Sequence, residues 1–128
     1  MTGRRVSSGG PWEASYGYSR VAVAGDMAFV AGTTDAGMDG RSRNPGDPAG
    51  QARAVFEIIE RALVEAGFGL ADVVRTRMFV TDAANIAAIA TVHGEVFREI
   101  RPASSAIVVA ALIDPSLLVE IEADARRA

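Results

Sequence analysis

The chain has 128 residues, of which 49% are hydrophobic, and it carries a formal net charge of -3 at pH 7. This length predicts one domain over residues 1–128 with a core of its own. The absence of cysteine excludes disulfides, thiolate nucleophiles and cysteine-based metal sites. A single histidine cannot build a multi-histidine metal site within one copy, and the negative net charge disfavours a surface that binds nucleic acid.

The first ten residues hold few apolar side chains and do not resemble a signal peptide. Every apolar stretch is far shorter than the roughly 20 residues that a helix needs to cross a bilayer. We therefore expect a cytoplasmic protein without a membrane partner.

Residues 1–16 are rich in glycine and serine and are predicted to form an irregular arm. Near the end of this arm lie Trp12, Tyr16 and Tyr18. Exposed aromatic side chains usually lie on another surface, so we expect the arm to do so.

Two short apolar strands are predicted over residues 19–24 and 27–32, because Gly25-Asp26 between them is typical of a two-residue hairpin turn. Residues 33–46 consist largely of Gly, Asp, Arg, Asn and Pro and predict a long loop. Loops of this length in a compact domain tend to be functional or mobile.

The first helix is predicted to begin at Asp47-Pro48, where an aspartate oxygen can cap the first turn and proline suits the first helical position. Gly67 is typical of the position just after a helix. Apolar residues recur between these limits at helical spacing, so one face should lie on a sheet. They are Val55, Phe56, Ile59, Ala62, Leu63 and Ala66.

A strand over residues 72–80 places two arginines on one face. Alternation puts Val73, Arg75, Arg77 and Phe79 on that face, and Val74, Thr76, Met78 and Val80 on the other. Two interpretations stay open for the arginines: an outward ladder of ion pairs with a neighbouring strand, or a face with a function.

The second helix is predicted to begin at Thr81 or Asp82 and to end before Pro102, because proline disfavours helical geometry in the residue that precedes it. His93 falls on or beside the apolar stripe of this helix. A histidine there is more often a hydrogen-bonded packing residue than a catalyst.

Two last strands are predicted over residues 104–112 and 117–125, with a turn at Asp114-Pro115. The second strand alternates, so one of its faces carries a row of carboxylates. Val119, Ile121 and Ala123 point one way, and Leu118, Glu120, Glu122 and Asp124 point the other.

This order of elements predicts an α+β sandwich of two layers, a mixed sheet with both helices on one face. Nothing in the chain covers the other face. If Arg75, Arg77, Glu120 and Glu122 lie there, the simplest cover is another copy of the same subunit.

Six segments, in this order and spacing, resemble the RidA group, also called YjgF or L-PSP endoribonuclease-like proteins. Their order and spacing together carry the resemblance, which covers nearly the whole chain. They are Gly17-Tyr18-Ser19-Arg20, Phe29-Val30-Ala31-Gly32-Thr33, the helix that contains Gln51, Phe79-Val80-Thr81-Asp82, Arg101-Pro102-Ala103-Ser104-Ser105, and Val119-Glu120-Ile121-Glu122-Ala123.

Members of this group have a chorismate-mutase-like fold and form homotrimers with ligand clefts between subunits, so the resemblance implies the same for this chain. The archetypal members are deaminases that hydrolyse reactive 2-imino or enamine acids to 2-keto acids and ammonia, with a water molecule and with no metal or cofactor. The resemblance implies that no cofactor is needed here either.

In the archetypal members an arginine of a Pro-Ala-Arg-Ser motif grips the substrate carboxylate, since a planar guanidinium matches a carboxylate in shape and charge. Here the motif reads Pro102-Ala103-Ser104-Ser105, with Ser104 in the place of the arginine. Losing such a charge-assisted pair removes roughly 2 to 5 kcal/mol of binding. Either another arginine grips the substrate, or the substrate has no carboxylate in that position.

Other family positions are partly kept. The family motif has a cysteine two positions after its arginine, and Ala106 stands at that position. The resemblance implies that the backbone carbonyl of Ala106 helps to hold the water. Ala31 and Ala90 stand where the family has a serine and an asparagine. Tyr18, near the cleft entrance, and Glu120, which in the family helps to hold the attacking water, are kept.

Three hypotheses describe the function. The first is a small-molecule hydrolase or binder with an altered inter-subunit cleft, in which Glu120 positions or deprotonates water. The second is a non-enzymatic trimer that senses or stores a metabolite or contacts a protein through its arm. The third is a ribonuclease, which the acidic charge and the lack of a histidine pair disfavour. The residues expected to bind substrate are Tyr18, Ser104, Ser105, Ala106 and, across the subunit boundary, Arg77.

Overall fold

A computed structural model describes residues 3–128, and Met1 and Thr2 of the predicted arm lie outside the described residues. One mixed sheet has the strand order β1-β2-β3-β6-β4-β5, in which β4 and β5 are parallel and the other neighbours are antiparallel. The strands are β1 Gly3–Val6, β2 Val21–Ala24, β3 Met27–Thr33, β4 Val73–Val80, β5 Ala103–Val108 and β6 Val119–Arg126; the helices are α1 Glu13–Tyr16, α2 Pro48–Glu65 and α3 Ile86–Phe97.

Helices α2 and α3 lie together on one face of this sheet, which confirms the predicted two-layer α+β sandwich. The core between the layers is apolar. Its fully buried members include Val21, Val55, Ile59, Leu63, Val80, Ile89, Val92, Val119 and Ile121. Within residues 3–128, no helix is both long and apolar enough to cross a membrane.

The helix ends follow the local chemistry of the sequence. The side chain of Asp47 accepts a hydrogen bond from the backbone N–H of Gly50 at 2.9 Å, and Pro48 is the first helical residue, both as predicted. Gly67 follows the helix with φ +88°, a left-handed conformation that glycine adopts without strain. The second helix differs from the prediction, because Asp82 caps a 3₁₀ turn over Ala83–Asn85 and the α-helix begins after it.

The predicted irregular arm is wrong in part. Gly3–Val6 form an edge strand paired with β2, and Glu13–Tyr16 form one helical turn. Only Val6 of the edge strand is buried, and Arg4 and Arg5 are exposed. Four residues with one buried side chain give too short a pattern for the sequence to predict this strand.

The predicted strand over residues 104–112 is too long. Strand β5 ends at Val108, which pairs with Val80, the last residue of its only partner strand, β4. The apolar pattern continues beyond Val108, but β4 ends at Val80, and the N–H of Val109, which donates to the Val80 carbonyl oxygen at 2.9 Å, makes the last bond of this pairing. All six residues of β5 are exposed, as expected for the edge of the sheet.

The predicted faces of β4 are wrong for its first two residues. Val73 is buried and Val74 is 48% exposed, the reverse of the expected alternation. A register shift between Val73 and Arg75 opposes an extra residue of β4 to β6. Such a bulge reverses the orientation of the residues on one side of it.

Candidate functional site

A cavity of about 580 Å³ lies at the end of β3, where the open face of the sheet meets the amino-terminal segment. Its walls come from the segment 8–20, the end of β3, the loop after it, helix α2, Ile113 and Glu120. The loop predicted over residues 33–46 therefore contributes to a cavity wall. A single chain supplies all of these walls.

Glu120 of β6 is partly buried at the base of this cavity. Its carboxylate lies against Gly32 of β3, where a Cβ atom would come within 2.8 Å of the Glu120 Oε2 atom. Glycine at that position leaves the space that the carboxylate occupies. Burial raises the pKa of Glu120; the nearby positive charge of Arg20 opposes this shift, and the negative charge of Glu122 adds to it.

Arg20 is the buried cation beside Glu120. Its Nη1 atom donates to the carbonyl oxygen of Gly32 at 2.7 Å and to Oγ1 of Thr33 at 3.0 Å. Its guanidinium also lies 5.6 Å from the centre of the Tyr18 ring. Because its Nη1 donors are bonded to β3, Arg20 holds Gly32 in place and supplies fixed positive charge beside Tyr18.

The amino-terminal segment is fastened to this arginine through Glu13, which is buried. The Glu13 carboxylate accepts hydrogen bonds from Ser8 Oγ at 2.6 Å and from the backbone N–H of Gly10 at 2.9 Å, and it lies 3.6 Å from Arg20. Burial raises the pKa of Glu13, but these hydrogen bonds and the arginine outweigh it, so the pKa is lowered. The same fastening brings Trp12 to the cavity wall, against Gly40.

Two further arginines, Arg43 and Arg61, line the cavity. Within residues 3–128, neither guanidinium has a carboxylate at ion-pair distance. Apolar and aromatic side chains, among them Trp12, Tyr16 and Met38, form part of the remaining wall. A cavity with unpaired cations and aromatic walls suits a ligand that has both an anionic group and an apolar part.

The predicted site residues fall into three places. Tyr18 and Glu120 line the cavity together. Arg77 and Ser105 are register partners on the open face, where Arg77 lies 3.2 Å from Glu122 and 3.5 Å from Asp124. These two ion pairs match the cross-strand ladder that the sequence left open as one interpretation.

Ser104 lies on the opposite face of the sheet from Glu120. Its Oγ atom is 2.8 Å from Oγ1 of Thr76, which is buried on the helix side. Ala106, two residues further along β5, points the same way and is exposed. In the described part of one chain, Ser104, Ser105, Ala106 and Arg77 do not line the cavity that contains Glu120, and their joint site across a subunit boundary stays a prediction.

Sequence reasoning expected Trp12 to lie on another surface but did not assign it to a site, and it missed the three arginines of the cavity, Arg20, Arg43 and Arg61. Arg20 belongs to the Gly-Tyr-Ser-Arg segment, where an arginine just before a buried strand is a usable signal. Arg43 had the appearance of a solvated loop residue, and Arg61 that of the polar face of a helix. The sequence around Arg43 and Arg61 does not indicate that the fold places a cavity beside these two residues.

Comparisons with known proteins agree with this fold. The profile of the family described as Endoribonuclease L-PSP matches residues 11–127. An uncharacterized protein of Streptomyces coelicolor, SCO2049, is 39% identical over 97% of this chain and 92% of its own length. The structure of Rv2704 from Mycobacterium tuberculosis, described as a member of the YjgF/YER057c/UK114 family, is also similar. Its sequence is 46% identical, the TM-score is 0.89, and the match covers 98% of this chain and 100% of that chain.

A second similar structure is that of Escherichia coli TdcF with bound serine. It is 29% identical with a TM-score of 0.78, and the match covers 98% of this chain and 94% of that one. The family profile spans nearly all of the chain, and the two structures share its whole fold. This chain therefore belongs to the endoribonuclease L-PSP family, also known as the YjgF or RidA family.

Proposed function

We infer that the chain is a metal-free hydrolase of small imines or enamines that carry an anionic group, and that Glu120 handles the attacking water. The observation that carries this inference is the partly buried carboxylate of Glu120, with its raised pKa, facing a ligand-sized cavity beside Tyr18. A carboxylate in such surroundings is a suitable general base. TdcF, a relative of known structure, holds serine, which supports a ligand of amino-acid size.

The reaction needs one water molecule and no other reactant. The water oxygen bonds to the imine carbon while the Glu120 carboxylate accepts a water proton, and Glu120 then returns that proton to the nitrogen to give a carbinolamine. The carbon–nitrogen bond breaks as the hydroxyl proton passes through the same carboxylate to the nitrogen, and the products are a ketone and ammonia. The positive charge of Arg20 opposes the rise in the pKa of Glu120 and so favours the ionised carboxylate that the first step needs.

In this proposal Arg43 and Arg61 bind the anionic group of the substrate, in place of the family arginine that Ser104 replaces. They line the same cavity as Glu120, whereas Arg77 is already paired with Glu122 and Asp124. The aromatic wall beside them favours substrates larger than pyruvate-derived imines. The ligand class is therefore an anion with an apolar side chain.

Two further copies of the chain complete the proposed assembly, a homotrimer with clefts between subunits. On the open face, Phe29 is 44% exposed and Ile107 is 41% exposed beside the ladder of Arg77, Glu122 and Asp124. Apolar and charged groups mixed in this way are typical of a surface that a partner covers. Ser105, on the same face, is a contributor from the neighbouring copy in this arrangement.

Ligand binding can be followed directly, because Trp12 is the only tryptophan of the chain and lies in the cavity wall. We expect 4-methyl-2-oxopentanoate, the keto acid of a bulky apolar substrate, to change Trp12 fluorescence on binding. The double variant Arg43→Ala/Arg61→Ala should weaken this binding by about 10- to 100-fold, because a hydrogen bond to a charged group contributes about 1.5–3 kcal/mol.

The matched control is Arg53→Ala, which removes an exposed arginine from the same helix as Arg61 but outside the cavity. It should leave the affinity unchanged. A neutral methyl ketone of the same side chain should bind the native protein and the double variant equally. Equal affinity of the keto acid for all three proteins would exclude the two arginines as the anion site.

Turnover is tested separately, with 2-imino acids generated in place by an amino-acid oxidase and trapped with semicarbazide when they are not hydrolysed. We expect the protein to lower the yield of trapped imine. Binding of the keto acid without any hydrolysis of the imine would contradict the hydrolase and favour a metabolite-binding trimer.

A further inference from the structure

The aromatic residues of this chain are unevenly distributed. It has one tryptophan and two tyrosines, and all three, Trp12, Tyr16 and Tyr18, line the cavity that contains Glu120. In the part of the chain that the structure describes, none of the five phenylalanines lines this cavity. The rings that combine an apolar face with a polar atom are therefore gathered in one place, as is common on surfaces that bind a ligand or a partner.

One short segment around helix α1 carries all three rings, and its backbone is fixed. The carbonyl oxygen of Trp12 accepts a hydrogen bond from the N–H of Tyr16 at 2.9 Å, and that of Glu13 accepts one from the N–H of Tyr18 at 3.0 Å. The buried carboxylate of Glu13 lies 3.6 Å from Arg20 and fastens the segment to the sheet. Because the backbone is ordered before a ligand arrives, binding loses less conformational entropy.

Two of the rings are held by neighbouring groups, yet aromatic surface stays open. The Cζ2 atom of Trp12 is 3.0 Å from the position that a Cβ atom of Gly40 would take, so glycine at that position leaves room for the edge of the indole. The guanidinium of Arg20 lies over the ring of Tyr18, 5.6 Å from its centre. Tyr16 is 68% exposed and Trp12 is partly exposed. A cluster of exposed aromatic side chains at a cavity indicates a surface that a ligand covers.

An aromatic ligand gains more from these side chains than an aliphatic ligand of equal size. Burial of apolar surface stabilises both kinds of ligand, but only an aromatic ring adds offset-stacked or edge-to-face contacts with the rings of the protein. Such contacts contribute about 2- to 10-fold in affinity beyond burial. The cavity of about 580 Å³ lies in the size range of sites that enclose a small molecule, so a ring and an anionic group both have room.

We propose that the substrates are 2-imino acids with a planar aromatic side chain, and that Trp12 is the residue that selects them. This inference rests on the proposed hydrolase function, in which Glu120 handles the water while Arg43 and Arg61 bind the anionic group. The aromatic ring of the substrate packs against Trp12 in the same cavity. Trp12 therefore determines which side chain is accepted and takes no part in the proton transfers.

Two keto acids that differ only in the ring separate aromatic recognition from simple burial: 2-oxo-4-phenylbutanoate and 2-oxo-4-cyclohexylbutanoate, titrated by calorimetry. Burial alone favours the cyclohexyl compound, since its apolar surface is larger. We expect the native protein to bind the phenyl compound about 5-fold more tightly. Trp12→Leu should remove this preference or reverse it, and Trp12→Phe, which keeps a ring, should retain it. Phe68→Leu removes a ring outside the cavity and should leave the preference unchanged.

The outcomes distinguish this inference from the proposed function. If the native protein binds the cyclohexyl compound at least as tightly as the phenyl compound, or if Trp12→Leu keeps the preference for the phenyl compound, the selection of aromatic side chains is overturned. The hydrolase proposal survives both results, because binding of 4-methyl-2-oxopentanoate through Arg43 and Arg61 needs no aromatic ring in the ligand. If the native protein binds none of the three keto acids, the aromatic selection and the proposed anion site are overturned together.

Discussion

Glu120→Gln should abolish most imine hydrolysis, with a loss of about 10²- to 10⁴-fold in kcat/KM, the usual contribution of a positioned general base. The amide keeps the size of the side chain and its contact with Gly32, but it cannot accept a proton from water. Binding of the keto acid, followed by Trp12 fluorescence, should change little, because Arg43 and Arg61 are untouched. Steady-state kinetics and titration of the same preparation would give both results.

The pH dependence has a definite sign. A base must be ionised to act, and burial raises the pKa of Glu120, so kcat/KM should fall as the pH drops through a value above that of an ordinary glutamate. Stability runs the other way, since a carboxyl whose pKa is raised by folding favours the folded state when protonated. That contribution is lost as the pH rises through the pKa in the folded state, and Glu120→Gln should remove this pH dependence.

Glu122→Gln is the matched control, two residues along the same face. It should keep turnover and move the acidic limb of the profile to lower pH, because the negative charge of Glu122 contributes to the raised pKa of Glu120. Gly32→Ala gives an independent test, since its methyl group would displace the Glu120 carboxylate. Full activity in Glu120→Gln would contradict the assigned role.

The two layers and the row of carboxylates could be predicted because both follow from local patterns. Alternation along β6 sends Val119, Ile121 and Ala123 into the core, so it sends Glu120 and Glu122 to the other face. The start of α2 follows from the side-chain chemistry of Asp47. Each of these features is decided within a few residues, which is the range over which a sequence pattern is informative.

The remaining features depend on which strands become neighbours. Thr76, Ser104 and His93 come from three elements, and only the parallel pairing of β4 with β5 places the two hydroxyl groups together beneath α3. The bulge near Val73 likewise depends on the register with β6. Alternation predicts which residues share a face of one strand, but it does not predict which strands become neighbours.

Arg43 illustrates the same limit for the cavity. In the sequence it lies in a polar loop far from Glu120, and its position follows from hydrogen bonds that fold the loop back. Asp35 is buried in that loop, where its Oδ2 atom accepts hydrogen bonds from Ser42 Oγ at 2.8 Å and from the Asn44 side chain at 2.9 Å. From the sequence alone, a buried aspartate such as Asp35 cannot be distinguished from an ordinary solvated one.

Gln51→Leu should lower the free energy of unfolding by about 3 kcal/mol or more, because it leaves buried backbone groups without partners. Gln51 is fully buried in α2. Its Nε2 atom donates to the carbonyl oxygens of Asn44 at 3.1 Å and Ser116 at 2.9 Å, and its Oε1 atom accepts from the N–H of Leu118 at 2.8 Å. Leucine fills a similar volume but satisfies none of these groups.

Urea unfolding at one fixed protein concentration would measure the loss, since the stability of an oligomer depends on concentration. Arg53→Ala, on the exposed face of the same helix, should stay within about 0.5 kcal/mol of the native protein. Gln51 joins the loop that contains Arg43 to the segment that follows Ile113. Arg43 and Ile113 both line the cavity. Gln51→Leu should therefore also weaken keto-acid binding under conditions where the protein is still folded. A variant with native stability and native affinity would show that Gln51 does not hold the cavity walls together.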